Sequence, residues 1–240
     1  MAKQTYPQSE FAAPEGSTRF VLIRHGQSMP GTHGERFELV DGHGNPPLSP
    51  RGFWQAQQVS ARLATHEINA LYASSLVRTQ QTAAPLAAAK NMDVIIDHDL
   101  REVYLGIGEG GRFREMVHEE HPAIQQLRAN RDWGEIPGAE TNLELTERVI
   151  PVLETIHQTH MNQTIAVFCH GGVIGAAVAH VLNVNAYRMS GVRNGSISEI
   201  VRTPNDWILR SFNDASHIGS LFLDYDPPAD IVQGGEGGSG

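Results

Sequence analysis

Short runs of aliphatic and β-branched residues alternate along this chain with longer stretches of helical periodicity, and that alternation most constrains its fold. The apolar runs are 20–23 (FVLI), 70–73 (ALYA), 94–96 (VII) and 164–168 (TIAVF). Helices are expected from Ser49 after the first, from Ser75 after the second and from Gly172 after the fourth. The pattern predicts a mainly parallel sheet with helices on both faces, a three-layer α/β/α architecture.

Local signals refine that picture. Ser49 followed by Pro50 reads as an N-cap with proline at the first helical position, and Thr141 with Glu144 forms a capping box ahead of Leu143, Val149, Leu153 and Ile156. Runs 196–201 and 207–212, split by a Thr-Pro-Asn-Asp turn at 203–206, read as a hairpin added to the sheet. The segment 105–138 is Gly-rich and then polar and helical, with no strand signal, so a small cap insertion is expected at about 105–140. Residues 1–18 read as a flexible arm, 19–226 as the folded domain, and 227–240 as a flexible Gly-rich tail.

Composition narrows the class of function. A formal net charge of -9 argues against a broad basic surface, hence against nucleic acid as a partner, so any anionic ligand must be held by a local cluster of cations. No apolar stretch reaches the length of a membrane helix, and the polar N-terminus lacks an apolar leader core, so no membrane partner and a cytoplasmic location are expected. The single cysteine, Cys169, rules out an internal disulfide and fits a reducing compartment. Cys169 neighbours His170, but adjacent strand residues face opposite sides, which makes the thiol a core residue. Assembly as a homo-oligomer stays open.

In an open parallel sheet, ligands bind beyond the carboxyl ends of the strands. Arg24, His25 and Gly26 follow the first run directly, Arg78 lies in the first turn of the helix after the second, Glu102 follows the third, and His170 follows the Thr164 run. Two guanidiniums beside two imidazoles repel a metal cation and suit an oxyanion, since arginine offers a planar fork matching phosphate oxygens. Neither a metal nor another cofactor is expected. An imidazole is partly neutral at cellular pH and can attack phosphorus without a base to activate it. The alkoxide that leaves needs an acid, for which Glu102 is the candidate, with Glu109, Glu115 and Glu140 as competitors.

Several features take plainer readings. Gly106, Gly108 and Gly111 fit a dinucleotide fingerprint with Asp132 downstream, but no strand precedes Asp132 to complete it. Arg51, Arg62 and Arg148 fall on helical faces and read as solvated or ion-paired charges. His33 and His43 sit in the Gly/Pro-rich loop 29–47, at the entrance or simply within the loop.

The blocks LIRHGQS (22–28), PLSPRG (47–52), SSLVRTQQTA (74–83), LRE (100–102) and HGG (170–172) together resemble the histidine phosphatase, or phosphoglycerate mutase-like, superfamily. The resemblance covers about residues 19–212 and implies a phosphoglycerate mutase-like fold. It implies His25 as the phosphorylated nucleophile, Arg24, Arg78 and His170 as phosphate ligands, and Glu102 as proton donor. The family often carries Glu after Arg-His-Gly and Asn four positions beyond. Here these are Gln27 and Gly31, leaving Gln27 as the candidate replacement for a phosphate donor. The run GIGEG (106–110) stands where many members have Gly-x-Trp-Glu-Gly. Leu105 and Phe113 stand where cofactor-dependent mutases have a Tyr-Gly pair and a lysine, which implies a phosphatase acting on a small-molecule phosphate ester. The alternatives are mutase-type phosphoryl transfer and a non-catalytic phospholigand-binding protein. The cap and loop cations Arg36, Arg112, Arg114, Arg128 and Arg131 allow a second anionic group on the substrate.

Overall fold

The computed structural model describes residue 6 and residues 8–219. Its strands are β1 (Thr18–Arg24), β2 (Leu39–Val40), β3 (His43–Gly44), β4 (Ala70–Ser74), β5 (Val94–Asp97), β6 (Thr164–Cys169), β7 (Ile197–Arg202) and β8 (Trp207–Asp214). The helices are α1 (Pro50–Leu63), α2 (Val77–Lys90), α3 (Arg112–His118), α4 (Pro122–Asn130), α5 (Asn142–Thr159) and α6 (Gly171–Leu182). The main sheet runs in the order β5-β4-β6-β1-β7-β8. Its first four strands are mutually parallel, and the β7–β8 hairpin adds antiparallel to β1, as the sequence predicted.

The central strands are apolar at nearly every position because both faces are covered. Phe20 and Leu22 of β1, with Ile165, Val167 and Cys169 of β6, pack under Leu145, Val149 and Leu153 of α5 and Ile174 and Ala177 of α6. The alternate residues Val21, Ile23, Ala166 and Phe168 pack against Val59 and Leu63 of α1 and Ala83 and Leu86 of α2. Cys169 is fully buried among these side chains, which pushes its thiol pKa far up and leaves an inert core residue.

Side-chain caps set two helix starts as expected. Ser49 Oγ accepts from Gly52 N–H, with Pro50 in the first helical turn. Thr141 and Glu144 satisfy each other's backbone N–H groups in a complete capping box. Two starts shift from expectation. The helix placed at Ser75 begins at Val77, because Ser74 Oγ accepts from Leu76 N–H and holds one more turn residue ahead of it. The helix placed at Gly172 begins at Gly171, with His170 in the N-cap position.

The boundary expected after residue 18 falls inside β1. Thr18 Oγ1 lies 2.8 Å from His157 Nδ1 and donates to His160 O, and Ser17 O accepts from Asn162 N–H, so the strand is anchored to the end of α5 from its first residue. The tail at 227–240, and the end of the domain from 220, lie outside the described residues.

Between β5 and α5 the segment 105–140 folds as short helices around its own small core of Met116, Ala123, Ile124, Leu127 and Ile136. A backbone bridge between Leu105 and Ala139 closes its base. Gly106 sits at φ +53°, where a Cβ would meet Pro137 O at 2.3 Å, so only glycine allows this closure. Asp132 caps the turn Trp133–Glu135 rather than ending a strand, which disposes of the dinucleotide fingerprint.

Replacing Thr141 by Ala removes the cap of α5 and is expected to cost about 1 kcal/mol of stability. A lowered urea midpoint with an unchanged slope checks it, and an unchanged midpoint contradicts it.

Candidate active site

The carboxyl ends of the parallel strands bring the predicted residues to one edge. Arg24 ends β1 and His25 follows it, Ser74 ends β4, Arg78 is the second residue of α2, Glu102 lies in the loop after β5, and His170 follows β6. Arg24, His25, Gln27, Arg78 and Glu102 all line one cavity of about 720 Å³. His170 is fully buried behind them, its ring centroid 5.0 Å from that of His25.

The state of His25 follows from its partners. Its Nδ1 lies 2.7 Å from Gly26 O, and a carbonyl only accepts, so Nδ1 carries the proton and Nε2 keeps its lone pair. Arg78 Nε donates to that Nε2 at 3.3 Å. Burial first, then the Arg78 and Arg24 charges, hold the imidazole pKa well below its ordinary value, so His25 is neutral at pH 7. The same causes, together with His25, depress His170. His170 Nε2 pairs with Ser74 Oγ at 2.8 Å, and its buried Nδ1 has no hydrogen-bond partner among the described residues.

The two arginines are anchored from behind and open in front. Arg24 donates to Val192 O through one terminal nitrogen, while its buried Nε has no partner among the described residues. Arg78 donates to Gly44 O at 2.9 Å. Burial lowers both guanidinium pKa values, that of Arg78 to about 10, against the opposing pull of Glu102, so both remain charged at pH 7.

Among the candidate acids, Glu102 faces the cavity with its Oε2 outside the backbone hydrogen bonds that hold the carboxyl. Its Oε1 accepts from Val103 N–H at 3.0 Å and Gly172 N–H at 2.9 Å, in the first turn of α6. A Cβ on Gly172 would come within 2.6 Å of that oxygen, so a side chain here would displace the carboxylate. Glu109 also lines the cavity, but its two oxygens accept from Leu105 and Gly44 N–H. Glu115 is committed to Arg112, Arg36 and Gly34 N–H, which hold its carboxyl down at about 2. Glu140 pairs with Arg148 at 2.7 Å, and Arg62 with Asp214 at 3.8 Å.

Gln27 is exposed on the cavity wall, its Oε1 accepting from Ser49 Oγ at 3.1 Å. The loop that carries it is pinned by two glycines. A Cβ on Gly26 would meet Gly52 O at 2.4 Å, and one on Gly52 would meet Gln27 O at 2.0 Å. The first turn of α1 therefore lies directly against the backbone after His25.

The structure corrects the reading of the five cap and loop cations, since Arg114 alone among them lines the cavity. Arg36 and Arg112 are paired with Glu115, and Arg112 also with Glu119. Arg114 donates to Met29 O and Ser28 Oγ, and its charge helps to lower the pKa values of Arg24, His25 and Arg78, so it belongs to the same cationic cluster.

Sequence reasoning missed Asn194, which lines the cavity and donates to His25 O at 3.0 Å, and Ser74, which holds His170. Asn194 follows no apolar run and carries no local signal, whereas Ser74 stands within the SSLVRTQQTA block. Of the two loop histidines, His43 lines the cavity and His33 does not.

Comparison with known proteins identifies the family and the fold. A family model described as histidine phosphatase superfamily (branch 1) matches residues 20–215. The protein named Probable phosphoglycerate mutase GpmB of Enterobacter sp. (strain 638) is 33% identical, over 85% of this chain and 96% of its own. The crystal structure of the alpha-ribazole phosphatase from Shigella flexneri superposes with a TM-score of 0.66 at 26% identity, covering 82% of this chain and 96% of that one. A mycobacterial glucosyl-3-phosphoglycerate phosphatase shares the fold, with a TM-score of 0.69 at 22% identity over 83% of this chain and 100% of its own.

Neutral His25 and His170 carry a consequence for stability. The unfolded chain protonates its imidazoles below about pH 6.5 while these two resist, so stability present above that pH is lost as pH falls, by up to about 1.4 kcal/mol per pH unit for each. Imidazole NMR resonances of both residues are expected to stay at neutral positions between pH 8 and 6. A titration midpoint inside that window contradicts the assignment.

Proposed function

The chain belongs to the histidine phosphatase superfamily, and from that membership we propose that it hydrolyses small-molecule phosphomonoesters through a covalent phosphohistidine on His25. The observation that carries the reading is the state of His25: a buried, neutral imidazole, proton on Nδ1, with Nε2 facing the cationic cluster.

The phosphoryl group of the substrate lies among Arg24, Arg78 and His170, and its oxygens supply acceptors to the orphan Arg24 Nε and His170 Nδ1. Gln27 contributes at the rim, where the family's asparagine is missing, and Arg114 adds positive charge. His25 Nε2 attacks phosphorus. The P–N bond forms as the bond to the ester oxygen breaks, and Glu102 gives its proton to the departing alkoxide. A water then attacks the phosphohistidine, its proton passes to the Glu102 carboxylate, the P–N bond breaks, and inorganic phosphate leaves. Fixed guanidinium and N–H donors stabilise the charge on the transferring group in both steps. A donor set of arginines and imidazoles supports a reaction that needs no metal. Among the described residues no helix is long and apolar enough to cross a membrane, and the lone buried Cys169 fits a reducing, cytoplasmic setting.

The name of the 33%-identical relative favours a second reading, mutase-type transfer. Against it, Leu105 and Phe113 present apolar side chains to the cavity where such mutases carry polar ones, so the positions that would hold a phosphorylated acid lack charge.

Phosphate release from a panel of phosphate esters in the presence of EDTA tests the proposal. Release by the wild type and none by His25→Ala is expected, and near-normal activity in His25→Ala overturns the mechanism. Glu102→Gln is expected to slow turnover by about 10²- to 10⁴-fold for esters of poorly leaving alcohols, and much less for 4-nitrophenyl phosphate. Equal slowing of both denies Glu102 its role as the acid. Interconversion of phosphoglycerates without net phosphate release, dependent on a bisphosphorylated primer, selects the mutase.

A further inference from the structure

The cavity is far larger than a phosphoryl group and has the volume of a site for a whole small molecule. Its floor is cationic, but its walls are not. Above the floor stand Val103, Leu105, Phe113, Trp133, Val192 and, from the opposing loop, Phe37. Trp133 is wedged between Phe113 and Tyr187, with ring centroids 5.8 and 6.1 Å away, and the apolar core of the cap backs it. The indole is therefore held in place before any ligand arrives, which reduces the ordering cost of stacking a flat group on it.

Several polar groups on these walls are already engaged, although Gln27, Ser28 and Ser190 also line the cavity. Glu109 spends both oxygens on backbone N–H groups, Asn194 donates to His25 O, and Arg36 and Arg112 are paired with glutamates away from the cavity. Arg114 lies with the phosphate-binding cations and packs its guanidinium 5.4 Å from the centre of the Phe37 ring. His43 Nε2, buried and without a partner among the described residues, offers one further polar contact. A polyol or a second anion bound here would bury several polar groups against rings with few atoms to satisfy them.

We infer that the alcohol portion of the substrate is an aromatic or otherwise flat apolar group, seated against Trp133 and Phe113, rather than a sugar or a glycerate. This inference rests on the phosphatase reading of the same site.

The test compares arylalkyl phosphates (benzyl and 2-phenylethyl phosphate) with glycerol 3-phosphate, ribose 5-phosphate and 3-phosphoglycerate. All are esters of aliphatic alcohols, so the leaving groups are of one kind. The wild-type enzyme is expected to show kcat/KM at least about tenfold higher for the arylalkyl esters, an increment typical of filling an apolar pocket. Trp133→Ala and, separately, Phe113→Leu are expected to shrink that ratio at least about threefold, chiefly through KM. Wild-type preference for the polyol or glycerate esters overturns the inference while leaving the phosphatase reading intact. A wild-type ratio that neither folded variant moves overturns the placement against Trp133 and Phe113. Absence of phosphate release from every compound overturns both readings.

Discussion

Two arginine side chains carry their charge into the interior at the carboxyl edge of the sheet, and the rest of the site is arranged around the difficulty of keeping them there. A buried guanidinium without partners is strongly disfavoured. Arg24 and Arg78 are each tied to a backbone carbonyl, Val192 O and Gly44 O, and feel the opposing charge of Glu102. What these contacts leave unmet is as informative as what they meet. The neighbouring imidazoles stay neutral because they are buried and because further positive charge beside the arginines would find no compensation, and that neutrality keeps the His25 lone pair available.

The loop 29–47 is fastened between this floor and the cap. Arg78 donates to Gly44 O, Gly44 N–H donates to Glu109, Glu109 accepts in turn from Leu105 N–H, and Phe37 N–H donates to Gly110 O. Arg36 pairs with Glu115 across the same junction. One continuous hydrogen-bonded path thus runs from the Arg78 guanidinium to the backbone of the cap, so the walls of the cavity and its floor are placed by shared contacts. Glu109 belongs to this framework, which explains why a carboxylate inside the cavity is not equivalent to Glu102.

Most of the fold and the floor of the site were legible in the sequence because their signals are local. The apolar runs of β1, β4 and β6 sit beside their polar residues, so Arg24, His25 and His170 could be placed at strand ends by counting. Ser49 and Thr141 declare their helices within four residues. The walls were not legible. Which of five arginines faces the cavity depends in part on whether Glu115 has already claimed Arg112, three positions before it in α3, and Arg36, in a loop some eighty positions away. Asn194 reaches His25 from the far side of the sheet's sequence, after a segment without periodicity. The start of α2 was misjudged for a smaller reason of the same type: Ser74, not Ser75, makes the turn, and its hydroxyl is shared with His170 and Thr79.

The floor and the walls differ in a second way, in how much of their chemistry can change. Gly26 and Gly52 leave no room for a side chain between the loop after His25 and the first turn of α1. Backbone packed at these distances transmits any added atom directly to His25. Leu105, Phe113 and Trp133 instead meet the cavity through side chains mounted on the cap, a unit with its own small core. Exchanging one of them reshapes what the alcohol portion of a substrate touches without moving Arg24, His25 or Arg78. A rigid cationic floor can therefore retain one phosphoryl chemistry while the cap determines which ester reaches it.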